Sequence, residues 1–432
     1  MLNSISSTMS LITCTILLFI GLYVTVKLKF LFITHPKSIV RSLLEKDPES
    51  NISPFAAVTV ALAGTLGVGN IVGVAAAIYY GGPGSIFWMW VGAFFSVLIK
   101  YCEIVLAVRY KKDDRHGQNN VSFAYMKPRF ISCVFAFLCV IASFSIGNFL
   151  QMNSLSGILK EICNTPKIVC GTFVSVLLVI LLRKDFKFIS ALTSLLIPLA
   201  SLLYIIMCVC VIIDCIEYVP NAFYVIFNDA FHFEAGFGGI FAIIFSKAAR
   251  FGIMRGLITN ESGCGTAPLA HSEADTDSAV RQGFWGIFEV IADTFVLCSL
   301  SAIVIPTDPN KSFGSDIVYI LERFTDTGGK AFMWILCGCI ALFAFATLIG
   351  WSHYGLTSLL SLTKNKKIKQ AYIIIYALLA VVGSIMTSTQ MWNIADITVC
   401  IMTVINSIFI FIRFKEVKYE TDLYFRPHGR GK

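Results

Sequence analysis

Long apolar runs, separated by short polar segments, make up most of this 432-residue chain. A membrane-spanning α-helix needs ~20 mostly apolar residues, so the runs predict transmembrane helices. We place eleven predicted spans, and their approximate ranges are 9–32, 52–80, 84–110, 131–162, 168–182, 188–216, 238–274, 283–305, 331–362, 371–386 and 391–412. The pattern therefore predicts an all-α integral membrane protein with short loops.

The composition agrees with this prediction. The chain is 56% hydrophobic and 14% charged, whereas a soluble domain carries roughly 25% charged residues. An aromatic content of 13% excludes a disordered chain, and the 14 cysteines lack the Cys-x-x-Cys spacing of zinc sites. Because Lys and Arg are spread over short clusters, no nucleic-acid partner is predicted. Membrane lipid is the expected surrounding, and no obligate protein partner is implied.

The basic clusters follow alternate runs, and they occupy 27–46, 109–129, 183–187, 364–369 and 413–432. Cytoplasmic loops of membrane proteins are enriched in Lys and Arg. The alternation therefore predicts that the N-terminus lies outside and the C-terminus lies in the cytoplasm. We expect a multi-pass protein of the cell membrane.

The second run contains four glycines within ten residues, Gly64, Gly67, Gly69 and Gly73. Glycine weakens a helix by ~1 kcal/mol relative to alanine, so this stretch predicts a break near the middle of the membrane. Unwound backbone at that depth must line a site that satisfies its peptide groups. The alternative interpretation is close helix packing through Gly69 and Gly73.

The seventh run is interrupted by the polar sequence Thr259-Asn260-Glu261-Ser262-Gly263. Polar residues inside a membrane span usually mark a functional site, and an aqueous loop is the alternative interpretation. If the first helix is set aside, the two breaks fall in helices one and six of a ten-helix core. This placement predicts two five-helix repeats of opposite topology, with a substrate site between them.

The predicted organisation has three parts. Residues 1–50 form an additional N-terminal helix and a basic loop, residues 51–414 form the core, and residues 415–432 form a cytoplasmic tail. Within the core, the repeats cover about 51–216 and 236–414.

The backbone at the first break predicts recognition of a zwitterion and a cation. Free amides near Gly69 and Asn70, at the start of a half-helix, would face a carboxylate. Free carbonyls from Gly64 to Gly67, at the end of the other half-helix, would face a cation.

Two acidic residues lie inside the eighth run. Glu289 and Asp293 are one helical turn apart and so share a face of the helix. Two intramembrane carboxylates can relay protons. The alternative is that they pair with basic residues such as Arg250, Arg255 or Arg281.

Several motifs occur in order between residues 53 and 362. They are Gly67-Val68-Gly69-Asn70-Ile71, 81–90 (GGPGSIFWMW), 148–154 (NFLQMNS), 260–263 (NESG), 267–271 (APLAH), 280–286 (VRQGFWG) and 343–351 (FAFATLIGW). Together they resemble the alanine or glycine:cation symporter family. The resemblance implies the leucine-transporter-like fold and sodium-coupled uptake of small neutral amino acids, alanine or glycine first, by alternating access. It implies Na⁺ as the coupling ion and no organic cofactor.

The resemblance also implies a substrate site. The backbone from Gly67 to Asn70, including Gly69, would hold the substrate carboxylate. Gln151 would bind polar groups of the amino acid, with a helix–helix hydrogen bond as the alternative role. Trp351 would form a wall of the site. The implied residues of the second break are Ile258, Thr259, Asn260 and Gly263, of which Thr259 and Asn260 would lie beside the amino group.

A sodium site is implied at the first break and the facing helix. Its ligands would be oxygens of Gly64, Thr65, Gly67 and Thr347. This chain has Ala346 where the family often has Ser, so one hydroxyl that could bind the ion is absent. Proton coupling, with Glu289 or Asp293 as the carrier, therefore stays open beside sodium coupling.

Two further positions depart from the family pattern, which often has Thr in place of Val68 and Phe in place of Ile258. The second change reshapes the wall of the substrate site. A non-transporting amino-acid sensor with the same fold is another alternative. The chain has no His-Glu-x-x-His sequence or comparable catalytic pattern, so no enzymatic activity is predicted.

Overall fold

The computed structural model describes residues 2–45, 53–113, 122–184, 186–231, 246–305 and 316–426. Within these ranges, all regular secondary structure is helical. In the described part of the chain, eight helices are long and apolar enough to cross a membrane, and they are Ser4–Lys27, Ser85–Lys111, Arg129–Cys163, Lys187–Asp214, Ala279–Val304, Ile320–Leu362, Lys366–Ile385 and Ser388–Tyr424. The predicted all-helical membrane architecture is confirmed at this level.

Shorter helices occupy the other predicted spans and some of the connections. The helices in predicted spans are Pro54–Thr65, Val72–Gly81, Lys167–Leu181, Lys247–Asn260 and Ala267–His271. Those in connections are Leu31–Thr34, Pro36–Leu44 and Val219–Ala230. We call residues 54–81 the first interrupted segment and residues 247–271 the second interrupted segment.

Three long spans contain irregular turns that the hydropathy pattern did not predict. Arg129–Cys163 contains a π-helical turn at Ser145–Phe149, and Ala279–Val304 contains another at Ile291–Cys298. In the third, Gly329 has non-helical angles (φ 60°, ψ −153°) and joins two helices end to end. Such π-turns frequently accompany functional sites.

The two interrupted segments begin in the same way. The Ser53 hydroxyl accepts a hydrogen bond from the Ala56 amide (3.1 Å), and the Ser246 hydroxyl accepts one from the Ala249 amide (3.0 Å). A serine N-cap satisfies an amide that the first helical turn leaves without an intrahelical partner. Each segment therefore enters its first half-helix from a defined start.

The interrupted segments cross in opposite directions. Pro54–Thr65 contacts Ala267–His271 more than it contacts Lys247–Asn260, whereas Val72–Gly81 packs against Lys247–Asn260. The first half of each segment thus lies beside the second half of the other, so the two breaks are brought together.

The outer surface of the helices is strongly apolar. Phe173, Leu195 and Ile213 are each about two-thirds exposed, at 66%, 65% and 66%. Large contiguous apolar surfaces are rare on soluble monomers, and lipid covers them in a membrane protein. The N-terminal helix Leu2–Lys27 adds to this bundle by packing against Ser85–Asp113 and Ser388–Tyr424.

Candidate functional site

The first interrupted segment changes from helix to extended backbone at Gly67. Helix Pro54–Thr65 ends, Gly67 is extended (φ −129°, ψ −165°), and Val68–Asn70 forms one 3₁₀ turn before Val72–Gly81 begins. The Asn70 amide donates to the Gly67 carbonyl (3.2 Å), and the Gly67 amide donates to Asn70 Oδ1 (3.0 Å). The expectation of a free amide at Asn70 is therefore wrong, because the tight turn uses it.

Gln151 and Trp351 contact the backbone of this break. The Val68 amide donates to Gln151 Oε1 (3.3 Å), and Trp351 Nε1 donates to the Gly64 carbonyl (3.3 Å). Both side chains satisfy backbone groups that the broken helix leaves without a helical partner. Because Trp351 is only 1% exposed, it does not belong to an aromatic belt at the membrane surface.

The Thr347 hydroxyl lies against Gly67. A β-carbon at Gly67 would lie 2.7 Å from Thr347 Oγ1, so this approach requires glycine. Thr347 Oγ1 is buried and has no hydrogen-bond partner in the described part of the chain. Thr65, another predicted cation ligand, instead donates its hydroxyl to the Ala61 carbonyl of its own helix (3.3 Å). Thr347 thus supplies an unsatisfied oxygen beside the break, and Thr65 does not.

The second interrupted segment is broken by a built turn. Glu261, Gly263 and Gly265 have left-handed backbone angles, with φ of 52°, 85° and 75°. Two of these positions are glycines, which adopt such angles at little cost. The Ser262 amide donates to Asn260 Oδ1 (3.0 Å) and closes the start of the turn.

The two breaks are in contact at Gly69 and Thr259. A β-carbon at Gly69 would lie 3.1 Å from Thr259 Cγ2, tighter than an ordinary van der Waals contact. Gly69 therefore serves the close packing that was one interpretation of the glycines, at the same place where the helix is unwound.

The other predicted residues of the second break are held by the scaffold. Asn260 Nδ2 donates to Thr294 Oγ1 (3.1 Å), and Asn406 Nδ2 donates to the Gly263 carbonyl (2.8 Å). Ile258 is buried in the apolar core. Thr259, in contrast, packs directly against Gly69 of the first break.

Asp293 lies in the π-helical turn Ile291–Cys298 and connects that turn to the first break. Asn70 Nδ2 donates to Asp293 Oδ1 (2.5 Å), and Thr294 Oγ1 donates to Asp293 Oδ2 (2.8 Å). The side chain is fully buried. Among the described residues it forms no ion pair with a Lys, Arg or His, so its hydrogen bonds come from neutral groups.

Glu289, unlike Asp293, lies among basic side chains. Its carboxylate lies 2.9 Å from Lys100 Nζ and 2.6 Å from His271 Nε2. Gln282 Nε2 lies 2.8 Å from His271 Nδ1, and an amide donor there leaves Nε2–H as the donor to Glu289. Lys100 Nζ also donates to the Asn260 carbonyl (2.9 Å) at the second break. Glu289 is therefore neutralised within a fully buried network.

Pairing with a basic residue is confirmed for Glu289, which pairs with Lys100, but the three arginines named as examples have other partners. The observed contacts are Arg255 with Asp396 (2.6 Å), Arg281 with Glu45 (3.6 Å) and Arg250 with the Ser7 hydroxyl. Lys100, on the neighbouring span Ser85–Lys111, reaches Glu289 instead. Glu289 and Asp293 consequently belong to separate networks, although they lie one turn apart in sequence.

A family model for the sodium:alanine symporter family matches residues 1–432. The chain belongs to the sodium:alanine symporter family. It is 32% identical over 398 residues to the sodium/alanine symporter AgcS of Methanococcus maripaludis, covering 88% of this chain and 87% of that protein. It is also 32% identical over 426 residues to the probable sodium/glutamine symporter GlnT of Bacillus subtilis, covering 96% and 88%.

The fold is that of the leucine-transporter-like proteins. The crystal structure of MhsT in complex with L-phenylalanine superposes with a TM-score of 0.61 at 12% identity, over 87% of this chain and 93% of that chain. At this identity the likeness shows the fold alone.

Membership of the family makes this symporter a multi-pass membrane protein that moves an amino acid together with a cation. The family and the relatives are transporters and not enzymes, and the family description implies Na⁺ as the coupling ion.

Sequence reasoning missed part of the symporter's buried polar network. Glu103 Oε2 accepts from the Gly265 amide (3.0 Å) and from Asn406 Nδ2 (2.6 Å), so it fastens the second break to two other helices. Lys100 and Glu103 both lie within the third apolar run, and a charged residue at that depth is itself a signal of such a network.

Proposed function

We propose that this symporter carries small neutral amino acids, alanine or glycine first, into the cell together with Na⁺ by alternating access. The observation that carries the proposal is the meeting of the two breaks, at Gly69 and Thr259, beside the unsatisfied hydroxyl of Thr347. Interrupted helices that meet inside a membrane bundle supply exposed backbone dipoles for a substrate and its ion.

The same proposal includes the membrane topology. We propose eleven spans, with two inverted five-helix repeats in residues 51–414 that follow an N-terminal helix and basic loop in residues 1–50. The opposite directions of the interrupted segments support the inverted repeats. The N-terminus would lie outside, and the tail, residues 415–432, would lie on the cytoplasmic face of the cell membrane.

The substrate would lie between the breaks. Its carboxylate would bind at the Gly69 backbone with help from Gln151, and its ammonium group would lie beside Thr259 and Asn260. The short approach between Gly69 and Thr259 leaves little room, which favours a small side chain. Trp351 would close one side through its contact with Gly64.

The coupling ion would lie where the first half-helix ends. Na⁺ prefers oxygen ligands, as other hard cations do, and Thr347 Oγ1 is a buried oxygen without a partner. The carbonyls of Gly64 and Gly67 each accept one hydrogen bond and would complete the site through their second lone pairs. Ion and substrate binding would order the two breaks together, and the two repeats would then rock around them.

Uptake of labelled alanine into proteoliposomes tests this function. We expect accumulation driven by an inward sodium gradient, and a substrate panel would separate alanine from glycine and serine. Binding of alanine without any flux would instead identify a sensor.

Replacing Thr347 by alanine is expected to weaken sodium dependence. Loss of one charge-assisted oxygen contact costs about 1.5–3 kcal/mol, so the sodium concentration for half-maximal uptake should rise at least about tenfold. Thr347→Ser keeps the hydroxyl and is the matched control, with near-normal sodium dependence. An unchanged sodium response in Thr347→Ala would remove this residue from the ion site.

A proton-coupled transporter of the same substrates is the second candidate function. The observation that favours it is Asp293, a fully buried carboxylate that accepts hydrogen bonds from the neutral side chains of Asn70 and Thr294. Glu289 is a poorer carrier, because Lys100 and His271 already neutralise it.

Asp293→Asn separates the two coupling modes. If sodium drives uptake, we expect Asp293→Asn to keep its sodium response, because an amide can still hydrogen-bond to Asn70 and Thr294. Uptake driven by a pH gradient in the wild type, insensitive to sodium and lost in Asp293→Asn, would establish proton coupling instead.

A further inference from the structure

A cavity of about 210 Å³ lies at the end of the bundle where the N-terminal helix begins. Four helices line it: Leu2–Lys27, Lys247–Asn260, Ser388–Tyr424 and, through Tyr80, Val72–Gly81. In the proposed topology this end faces the outside. For comparison, a cavity of ~150 Å³ binds benzene, which has as many non-hydrogen atoms as alanine, so the space suits a small amino acid.

The floor of the cavity separates it from the two breaks. Arg255 forms a two-point ion pair with Asp396 (2.6 and 3.3 Å) and stacks 4.0 Å from the centre of the Trp392 ring. On the other side, a β-carbon at Gly73 would lie 3.5 Å from the Trp392 ring and 3.8 Å from Thr259 Cγ2. A substrate that enters from this end must therefore pass Arg255, Asp396 and Trp392 before it reaches the central site.

The lining contains hydrogen-bond donors that lack acceptors. Trp392 Nε1 and Arg255 Nε are buried without a hydrogen-bond partner among the described residues. Arg250 donates to the Ser7 hydroxyl and stacks 4.9 Å from the centre of the Phe251 ring, and no carboxylate in the described chain pairs with it. These groups can only donate hydrogen bonds, so the ligand that completes them must present acceptors.

The cavity also contains the carboxylate of Asp396, whose position is fixed by hydrogen bonds. Asp396 accepts from the Ser6 hydroxyl (3.4 Å) in addition to Arg255, and it lines the same space. A ligand with a carboxylate for the arginines and an ammonium group for Asp396 matches this arrangement. Met254 and Phe251 supply an apolar wall for a short side chain.

We propose that this cavity is an outer binding site, which captures an amino-acid zwitterion before it enters the central site. Arg250 and Trp392 bind the carboxylate of the ligand. Asp396 gives up its ion pair with Arg255 and binds the ammonium group instead. The N-terminal helix, which lies outside the ten-helix core, completes the site through Ser6 and Ser7. The transport role of this site rests on the proposed function, whereas binding to it does not.

Binding stoichiometry tests the outer site. Equilibrium dialysis of purified symporter with labelled alanine and Na⁺ should find a second equivalent of alanine per chain in the wild type. Arg250→Gln should lose that equivalent, and Lys247→Gln should keep it. Lys247 is the matched control because it is exposed, lies one turn away on the same helix and does not line the cavity.

Kinetics give a second readout. Arg250→Gln should raise KM for alanine uptake about tenfold, the effect of losing a hydrogen bond to a charged group, while the maximal rate stays unchanged. Arg250→Lys keeps the charge and should retain the second equivalent. Propionate, which has a carboxylate but no ammonium group, should displace that equivalent only weakly.

Different outcomes separate the two proposals. A single equivalent of alanine in the wild type, or the same stoichiometry and KM in Arg250→Gln, would overturn the outer site. Gln151→Leu should disable the central site and leave the Arg250-dependent equivalent in place. If that equivalent binds but the wild type never transports alanine, the outer site stands and the proposed transport function fails.

Discussion

Gly67→Ala is expected to reduce alanine uptake about tenfold to a hundredfold. The added methyl group would lie 2.7 Å from Thr347 Oγ1 and 3.4 Å from Gln151 Oε1, and overpacking of this kind costs about 1–3 kcal/mol. The cost arises at the proposed ion and substrate site. The backbone of Gly67 is extended, a conformation open to alanine, so the effect comes from the side-chain contact. Uptake into proteoliposomes measures it.

Gly338→Ala is the matched control for that substitution. A β-carbon at Gly338 would meet no heavy atom within 4 Å, so normal uptake is expected. Combining Gly67→Ala with Thr347→Ala removes the contact with Thr347 Oγ1 and should recover alanine binding, but not sodium dependence. Normal uptake by Gly67→Ala alone would contradict the assignment of this position to the site.

Lys100→Met is expected to destabilise the symporter by about 3–5 kcal/mol, the usual cost of removing one partner of a buried ion pair. Glu289 would be left buried without its cation, and the Asn260 carbonyl would lose its donor. A large drop in the thermal unfolding midpoint of the detergent-purified protein, followed by size-exclusion chromatography, is the expected result.

The double variant Lys100→Met/Glu289→Gln tests the cause of that loss. Removing both charges should recover part of the midpoint, because no uncompensated carboxylate remains. Lys160→Met, at an exposed lysine, should leave the midpoint unchanged. If the double variant is no more stable than Lys100→Met, the ion pair is not the source of the effect.

The breaks were predictable because their causes are local. Gly64, Gly67 and Gly69 weaken a helix whatever its tertiary contacts are. The polar residues after Thr259 cannot remain in lipid without partners. The apolar runs likewise predict helices from their own length. The described helices agree with those runs to within a few residues at most ends, and Asp316–Leu362 and Ser388–Tyr424 are the clearest exceptions.

The partners of the buried charges were not predictable, because they depend on how distant helices pack. Glu289 and Asp293 share one helical stretch in the sequence, and a regular helix would place them on one face. A π-turn begins between them at Ile291, and Lys100 approaches only Glu289. Nothing local in the sequence indicates either feature.

The free amide expected at Asn70 shows the same limit on a smaller scale. Glycine content predicts that the helix unwinds, but not which turn replaces it. The 3₁₀ turn that forms uses the Asn70 amide within the chain and turns the Asn70 side chain toward Asp293. An asparagine that was expected to present backbone to the substrate therefore connects two helices.

The most direct test of the shared substrate and ion site is the thermodynamic linkage between alanine and Na⁺. If both bind at the two breaks, saturating Na⁺ must raise the affinity for alanine by the same factor as saturating alanine raises the affinity for Na⁺. Isothermal titration of the purified protein measures both factors. We expect equal factors well above one in the wild type, and a sodium concentration at least about tenfold higher to reach them in Thr347→Ala. Alanine affinity that is the same with and without Na⁺ in the wild type would contradict a common site.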